Sequence, residues 1–377
     1  MIAFVLIATA ALLLYTYVGY PIIIGFLARL APLRLPALPP RPDSELPTIT
    51  VCLPVWNGAA VVESKLASLL GQDYPPDKLD VVVYLDGCSD ETEAIVRRIA
   101  DEPRGRGRIT AVVSAKRSGK PTALNTIRGV ARGELLLLND VRQPLSPNAA
   151  RALAEPFRHA QVGCTTGNLK LAGAAGSGVY WRYENWIRRQ ESRFRSVVGM
   201  TGPIAMMRLG DLEPLPADMI LDDVWIPMKL RLAGRLVRFV PEAEAHDTAF
   251  EDDREFKRKV RTLAGNYQIF SRLPALFSPL RNPSWFETMS HKIMRLLAPW
   301  LMILLAAASL LGALQAHGAT AFMLAALCAA QAAFYLGAWV GPRAGRLGGV
   351  ARTFVVLNAA AVVGLWRHVT RGQPITW

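Results

Sequence analysis

The residues best placed for chemistry in this chain are carboxylates and cations that stand where apolar runs end. Asp140 follows Leu135-Leu136-Leu137-Leu138-Asn139, and Asp86 follows Val83-Tyr84-Leu85. Asn57 closes a third run, Leu53-Pro54-Val55-Trp56. A carboxylate pair, Asp222-Asp223, opens a helical segment, and Lys120 stands near the head of another. Carboxylates can take a proton or hold a hard cation, and lysine or arginine can neutralise phosphate. Each position also has a plain structural use. Asp commonly stops a strand in a turn. Paired carboxylates at a helix start complement the helix dipole whatever else they do.

The elements around these residues decide between the two uses. Four consecutive leucines are too short for a buried helix and suit a strand buried on both faces, as in a parallel sheet. Residues 48–56, 79–85 and 109–113 are also β-rich, and helical segments separate them. Asp90 can cap the helix over 91–100. Strands alternating with helices predict βαβ units, an α/β fold and a mostly parallel sheet. Right-handed crossovers put the strand ends on one rim, where open α/β sheets bind ligands. Asn57, Asp86 and Asp140 are therefore expected to face one ligand. No Gly-x-Gly-x-x-Gly follows the first strand and no Walker-type Gly-Lys-Ser/Thr occurs, which argues against a dinucleotide enzyme or a P-loop ATPase.

The chain has 377 residues, 51% of them hydrophobic, which suggests soluble and membrane parts together. Its formal net charge is +13. The basic residues are scattered, many near apolar spans, and no zinc knuckle or RNA-binding signature appears. A membrane surface and a phosphate-bearing ligand fit this charge better than nucleic acid. Cys52, Cys88, Cys164 and Cys328 show no paired spacing, so neither a zinc site nor a disulfide framework is expected.

Residues 2–28 carry no charge and can cross a bilayer, which needs roughly 20 apolar residues. A cleaved signal peptide would want a basic start and a shorter core, and Met1-Ile2-Ala3 is not basic. Residues 1–28 therefore read as a retained transmembrane helix. Arg29, Arg34 and Arg41 follow it, so the next domain is expected on the cytoplasmic side of the inner (plasma) membrane. Residues 29–47 read as a Pro-rich linker, 48–275 as the soluble domain, and 276–295 as an interfacial segment carrying His291, Lys292 and Arg295. Within 296–377, the stretches 296–317, 320–340 and 350–366 are apolar enough to span. Arg343, Arg346, Arg367 and Arg371 all ask to be inside, which three full spans do not permit. Two or three spans are expected, with one stretch re-entrant or interfacial.

Three further motifs carry a family resemblance. Leu53-Pro54-Val55-Trp56-Asn57, Tyr84-Leu85-Asp86-Gly87-Cys88-Ser89-Asp90 and Gly119-Lys120-Pro121-Thr122-Ala123-Leu124-Asn125 together resemble the opening of a family 2 glycosyltransferase with the GT-A fold. The similarity runs from about Thr48 to Gln268. It implies a nucleotide-sugar site that includes Pro54 and Asn57, with Asp86 on the base and Lys120 near the diphosphate. Asp140 would bind the metal or the ribose. The family commonly has Asp-x-Asp here, but the third position is Arg142. A guanidinium cannot ligate a metal, though it can pair bidentately with phosphate. Asp140 alone can anchor Mg2+ or Mn2+, Arg142 can take over part of the neutralisation, or Asn139 and Asp140 can be the pair.

Further along, Gly199-Met200-Thr201-Gly202-Pro203 stands where the family has an acceptor loop. Asp222-Asp223 stands where the family has Glu-Asp, so Asp223 is expected to be the general base. Asp218 and Glu251-Asp252-Asp253 compete with it by composition, and His246 is a lone candidate metal ligand. Arg258 and Arg261, three apart on one helix face, would grip the leaving diphosphate or else rest on anionic lipid. The chain lacks the Gln-x-x-Arg-Trp of many processive relatives. The resemblance thus implies a membrane-anchored enzyme moving a sugar from a nucleotide-diphosphate donor to a hydroxyl of a polysaccharide or lipid, generally with inversion. Two alternatives stand beside it. One is a polyprenyl-phosphate sugar synthase. The other is a glycosyltransferase-like membrane scaffold without turnover, to which Arg142 points.

Overall fold

The computed structural model describes residues 2–39, 41–172, 177–248 and 252–374. Seven strands are formed by Ile49–Val55 (β1), Leu79–Asp86 (β2), Ile109–Ser114 (β3), Leu135–Asn139 (β4), Val162–Ala172 (β5), Ile204–Arg208 (β6) and Leu236–Thr248 (β7). They make one sheet in the order β3-β2-β1-β4-β6-β5-β7. β1, β2, β3 and β4 pair parallel, as do β5 and β7, while β6 runs against both its neighbours. The carboxyl ends of six strands and the amino end of β6 therefore share one rim. Ile204, at the start of β6, stands opposite Asn139. The loop before β6 is thus delivered to the edge that carries Asp140.

The leucine strand is buried on both faces, as its composition predicts. Leu135 and Leu137 pack into one apolar layer with Val51, Leu53 and Val81. Leu136 and Leu138 pack into the opposite layer with Leu124, Ile127 and Met207. Truncating such a leucine to alanine costs about 2–5 kcal/mol. Pro54 is buried in β1 opposite Tyr84, beyond the last β1–β4 pair, Cys52 with Leu138, so its missing N–H leaves no β4 partner unpaired.

The helices are Ile2–Leu30 (α1), Val62–Leu70 (α2), Thr92–Asp101 (α3), Lys120–Val130 (α4), Ala149–Ala154 (α5), Ser177–Phe194 (α6), Asp222–Leu232 (α7), Asp252–Arg272 (α8), Trp285–Gln315 (α9), Gly318–Val340 (α10) and Gly345–Val369 (α11). Three stretches are long and apolar enough to cross a membrane: α1, α9, and the run Gly318–Val369 that holds α10 and α11. The interfacial segment expected over 276–295 is partly absorbed into the first turns of α9. α1 buries Tyr20, Ile24 and Ala28 against Ile187 and Phe194 of α6. α11 turns back at Gly341 and Gly345, both with positive φ, and lies against α8. A Cβ on Gly364 would stand 2.9 Å from the Ala264 nitrogen, and the His368 ring stacks on Tyr267.

Candidate active site

Lys120 is the hub of the rim. It is the first residue of α4, where a cation opposes the helix dipole, so the position is unfavourable unless carboxylates offset it. Two do. Its Nζ lies 3.1 Å from Asp140 Oδ1 and 3.1 Å from Asp222 Oδ2. Burial opposes the ammonium charge, but Asp140, Asp222 and Asp223 outweigh it and raise its pKa above the ordinary lysine value. Asp140 stays open, with 39% of its side chain exposed, whereas Lys120 and Asp222 are largely covered.

Asp223 follows on the first turn of α7. Its backbone carbonyl accepts a 2.9 Å bond from the Met200 N–H, which ties it to the loop before β6. In that loop a Cβ on Gly202 would sit 3.6 Å from Asp223 Oδ2 and 3.9 Å from Lys120 Nζ. This backbone lies in van der Waals reach of the cluster. Asp223 Oδ1 is buried and accepts no hydrogen bond from the described residues. Burial and the adjacent Asp222 push its carboxyl up to about 6, against the pull of Lys120, Lys292 and Arg261. Such a group is ionised at neutral pH yet basic enough to take a proton.

Asp86 builds the site from beneath. It is fully buried, and it accepts 2.6 and 2.8 Å bonds from the Ser118 N–H and hydroxyl and a 3.0 Å bond from the Gly119 N–H. These fix the turn that aims Lys120. Gly119 has φ +85°, a conformation that favours glycine. Gly87 needs glycine twice over: its φ is +66°, and a Cβ there would meet the Arg117 nitrogen at 2.5 Å. Arg117 in turn lies over the Trp56 ring, 3.5 Å from its centroid. Asn57, itself at φ +46°, accepts a 2.9 Å bond from the Ser89 N–H and so links the loops after β1 and β2.

The loop after β4 is braced separately. Arg142 Nη2 and Gln143 Nε2 meet Asp247 Oδ2 at 2.9 and 2.6 Å, and Asp247 comes from the end of β7. Lys65 of α2 is buried and donates to the Gln143 carbonyl. Burial pulls its ammonium down to about 7, against the opposing field of Asp140.

Residues 47–265 match the model of the glycosyltransferase-like family 2. The chain belongs to that family. It is 29% identical over 234 residues to an N-acetylglucosaminyltransferase of Rhizobium meliloti, covering 56% of this chain and 54% of that protein. It is 24% identical over 246 residues to a poly-beta-1,6-N-acetyl-D-glucosamine synthase of Staphylococcus aureus, covering 62% and 58%. The chain thus spans about half the length of the curated relatives it matches. A mannosyltransferase from Pyrobaculum calidifontis, solved with GDP-Man and Mn2+, superposes with a TM-score of 0.73 over 97% of this chain and 99% of that one at 23% identity. The fold is GT-A.

Within this family 2 domain, Lys120, Asp140, Asp222 and Asp223 lie together, and Arg261, which donates a 3.0 Å bond to the Ile220 carbonyl, acts on Asp223 through its charge. Three other expected ligand-binding residues have protein partners or neighbours of their own. Asp86, expected on a nucleotide base, has both oxygens engaged by the Ser118-Gly119 turn. Arg142, expected on phosphate, faces Asp247. Pro54 is inside the strand rather than on the rim. Arg258 is exposed on α8. Asp218 pairs with Arg272, and His246 lies beside Glu244 at 4.0 Å. Glu251 lies outside the described residues, as do the side chains of Asp252 and Asp253. Sequence reasoning missed Lys65 and Asp247, and it placed Lys292 only on the interfacial segment. Lys65 left a signal: it interrupts the inward face Val62, Leu66, Leu69 of α2. Asp247 and Lys292 reach the site only through the fold.

Proposed function

We propose that this chain transfers a sugar from a nucleotide-diphosphate donor to a hydroxyl of a polysaccharide or lipid acceptor, from a catalytic domain held at the cytoplasmic face of the inner membrane. One observation carries the reading: a partly open carboxylate, Asp140, and a half-buried one raised to about 6, Asp223, meet around the same buried lysine. In this reading Asp223 accepts the acceptor hydroxyl's proton as that oxygen attacks the anomeric carbon. Lys120 releases part of its charge to the departing diphosphate, and Arg261 adds to the positive field.

Among the described residues there is no group of three or more His, Cys, Asp or Glu that could hold a metal ion. The donor set nonetheless suits Mg2+ or Mn2+, which take one or two carboxylates together with substrate phosphates and waters. Asp140 would hold the ion, which would supply charge neutralisation at the leaving phosphates.

For the membrane part, the reading takes α1, α9 and α10 as the crossing segments. α11 then lies at the membrane face along α8, as its Gly364 and His368 contacts support. That arrangement leaves Arg343, Arg346, Arg367 and Arg371 all on the inner side and removes the charge conflict.

One observation favours a second acceptor class. Lys292, in the first turns of α9, has its Nζ 3.3 Å from where a Cβ on Gly199 would stand, so a cation faces the acceptor loop from the membrane side. This suits a phosphate-bearing lipid acceptor, as in a polyprenyl-phosphate sugar synthase. The test is incubation of the full-length protein in membranes with several UDP- and GDP-sugars, followed by mass analysis of lipid and polymer products. A hydroxyl acceptor predicts that Asp223→Asn is inactive while nucleotide binding survives. A phosphate acceptor, which needs little base help, predicts that the variant keeps turning over. No product from any donor, with or without Mg2+ or Mn2+, would defeat both.

A further inference from the structure

A cavity lies away from the Lys120 cluster, at the junction of the apolar helices with the domain. It has a volume of about 560 Å3, and its lining includes Leu33, Arg195, Arg231, Asn282, Trp285 and Phe286. Leu33 lies just past the end of α1, and its N–H donates a 2.7 Å bond to the Arg193 carbonyl at the end of α6. Trp285 opens α9. The cavity therefore sits where two apolar spans leave the domain. Beside it, Leu280 is 97% exposed and Phe277 is 44% exposed, on the loop that precedes α9. An apolar tip, a tryptophan and arginines beside one cavity match the composition of a bilayer headgroup zone.

The charge of the cavity is unbalanced. Its lining holds two arginines and no carboxylate. Arg231 is almost fully buried, with Nε 2.8 Å from Ser284 Oγ and Nη1 2.6 Å from the Arg235 carbonyl. Arg195 is exposed and donates a 3.3 Å bond to the Pro283 carbonyl. Glu287, fully buried nearby, offsets part of this charge, yet both its oxygens lack a hydrogen-bond partner among the described residues. Burial pulls the Arg231 guanidinium down to about 10, and an anion in the cavity would relieve that cost.

We infer that this cavity binds the phosphate headgroup of an anionic membrane lipid between Arg195 and Arg231, with the acyl chains running down the Trp285 and Phe286 side of α9. The inference rests on the membrane anchoring proposed above and is independent of the transferase chemistry. Basic pockets at the ends of transmembrane helices suit such headgroups, and two charge-assisted contacts give selectivity over a zwitterionic lipid.

The test uses the full-length protein in nonionic detergent, titrated with phosphatidylglycerol or phosphatidylcholine, with retained lipid counted by native mass spectrometry. The wild type should keep one phosphatidylglycerol and shed phosphatidylcholine, and inorganic phosphate should not displace the lipid. Arg195→Gln should weaken retention about tenfold at an unchanged melting temperature, the loss of one charge-assisted contact. Arg281→Gln, an exposed arginine outside the lining, should leave it unchanged. Equal retention of the two lipids, an Arg195→Gln protein that binds like wild type, or equal losses in both variants would overturn the assignment. Displacement by inorganic phosphate would reassign the cavity to a free anion and overturn it too. Release of the chain from membranes by alkaline carbonate would instead show that the anchoring itself had failed.

Discussion

Two buried charge clusters share one design and differ in one respect. At the rim, Lys120 stands between Asp140 and Asp222 at 3.1 Å each, with Asp223 alongside. At the junction with the apolar helices, His291 stands between Glu191 at 2.6 Å and Glu184 at 3.2 Å, and Arg295 also pairs with Glu184. Tyr20 of α1 donates a 2.6 Å bond to the same Glu191. Both clusters tie together segments remote in sequence. The second is closed to solvent: His291, Glu184 and Glu191 are all buried, although Glu191 Oε2 and the Nε and Nη2 of Arg295 find no hydrogen-bond partner among the described residues. The first is left open at Asp140 and leaves an oxygen of Asp223 unpartnered. What separates them is access: no carboxylate of the second cluster is open to solvent, whereas Asp140 presents one to something that arrives and leaves.

The largest effect expected from this contrast is at Asp223. Asp223→Asn keeps the shape and removes the base, so turnover should fall by about 10^2–10^4-fold. Nucleotide binding should hardly move, and the melting temperature at neutral pH should hold or rise, because the ionised Asp223 is kept against its own burial. A melting temperature that falls with activity would show that Asp223 is a structural carboxylate after all. The sealed cluster predicts the opposite pattern. Glu184→Ala leaves Arg295 buried without its carboxylate, which should cost about 3–5 kcal/mol of stability in denaturant unfolding. Turnover per folded molecule should change far less than for Asp223→Asn.

Proton binding sharpens the comparison because the two clusters shift in opposite directions. Asp223 is raised from 3.8 to about 6, so the folded state takes up its proton more readily than the unfolded chain. Its contribution to stability therefore declines as pH rises through that window, while kcat/KM should rise with pH and level off above about 6. Glu184 goes the other way. Burial works against its ionised form, but Arg295 and His291 win and hold it well below the ordinary 4.5. Its stabilisation is present above that ordinary value and is lost as pH falls toward the folded one. Asp223→Asn should abolish the acid limb of kcat/KM and leave the acid loss of stability in place. Glu184→Gln should do the reverse.

What was legible in the sequence follows the same division. β4 could be read because four leucines must bury two faces, and the rim could be read because parallel strands end together. Lys120 and Asp223 were reachable because each sits at a helix start in a motif that resembles a family. The job of Asp86 was not, since nothing local says that Ser118 and Gly119 will close over it. The sealed cluster was invisible for a related reason. Glu184, Glu191 and His291 come from two helices a hundred residues apart, and the spacing within either helix names no partner in the other. Long-range charge pairing leaves no period in a sequence.

Arg142 offers the smallest effect and the most pointed check. It stands where a second metal-binding carboxylate is common in this family, yet it faces Asp247 across the rim, with the guanidinium exposed and the carboxylate largely covered. An ion pair with an exposed arginine contributes up to about 1 kcal/mol, and Asp247 keeps its Gln143 bond, so Arg142→Ala should lower stability by about 1 kcal/mol. Gln143 still bonds Asp247, and Lys65 still holds the Gln143 carbonyl, so the loop after β4 should keep its course. If the pair only braces the loop, turnover should drop by less than about tenfold, and the response to Mg2+ or Mn2+ should be that of the wild type. If the guanidinium leaves Asp247 to grip the donor's phosphates, KM for the donor should rise far more than stability falls. A charge-reversing pair, Arg142→Asp with Asp247→Arg, separates the two: bracing is restored by the swap, and phosphate binding is not.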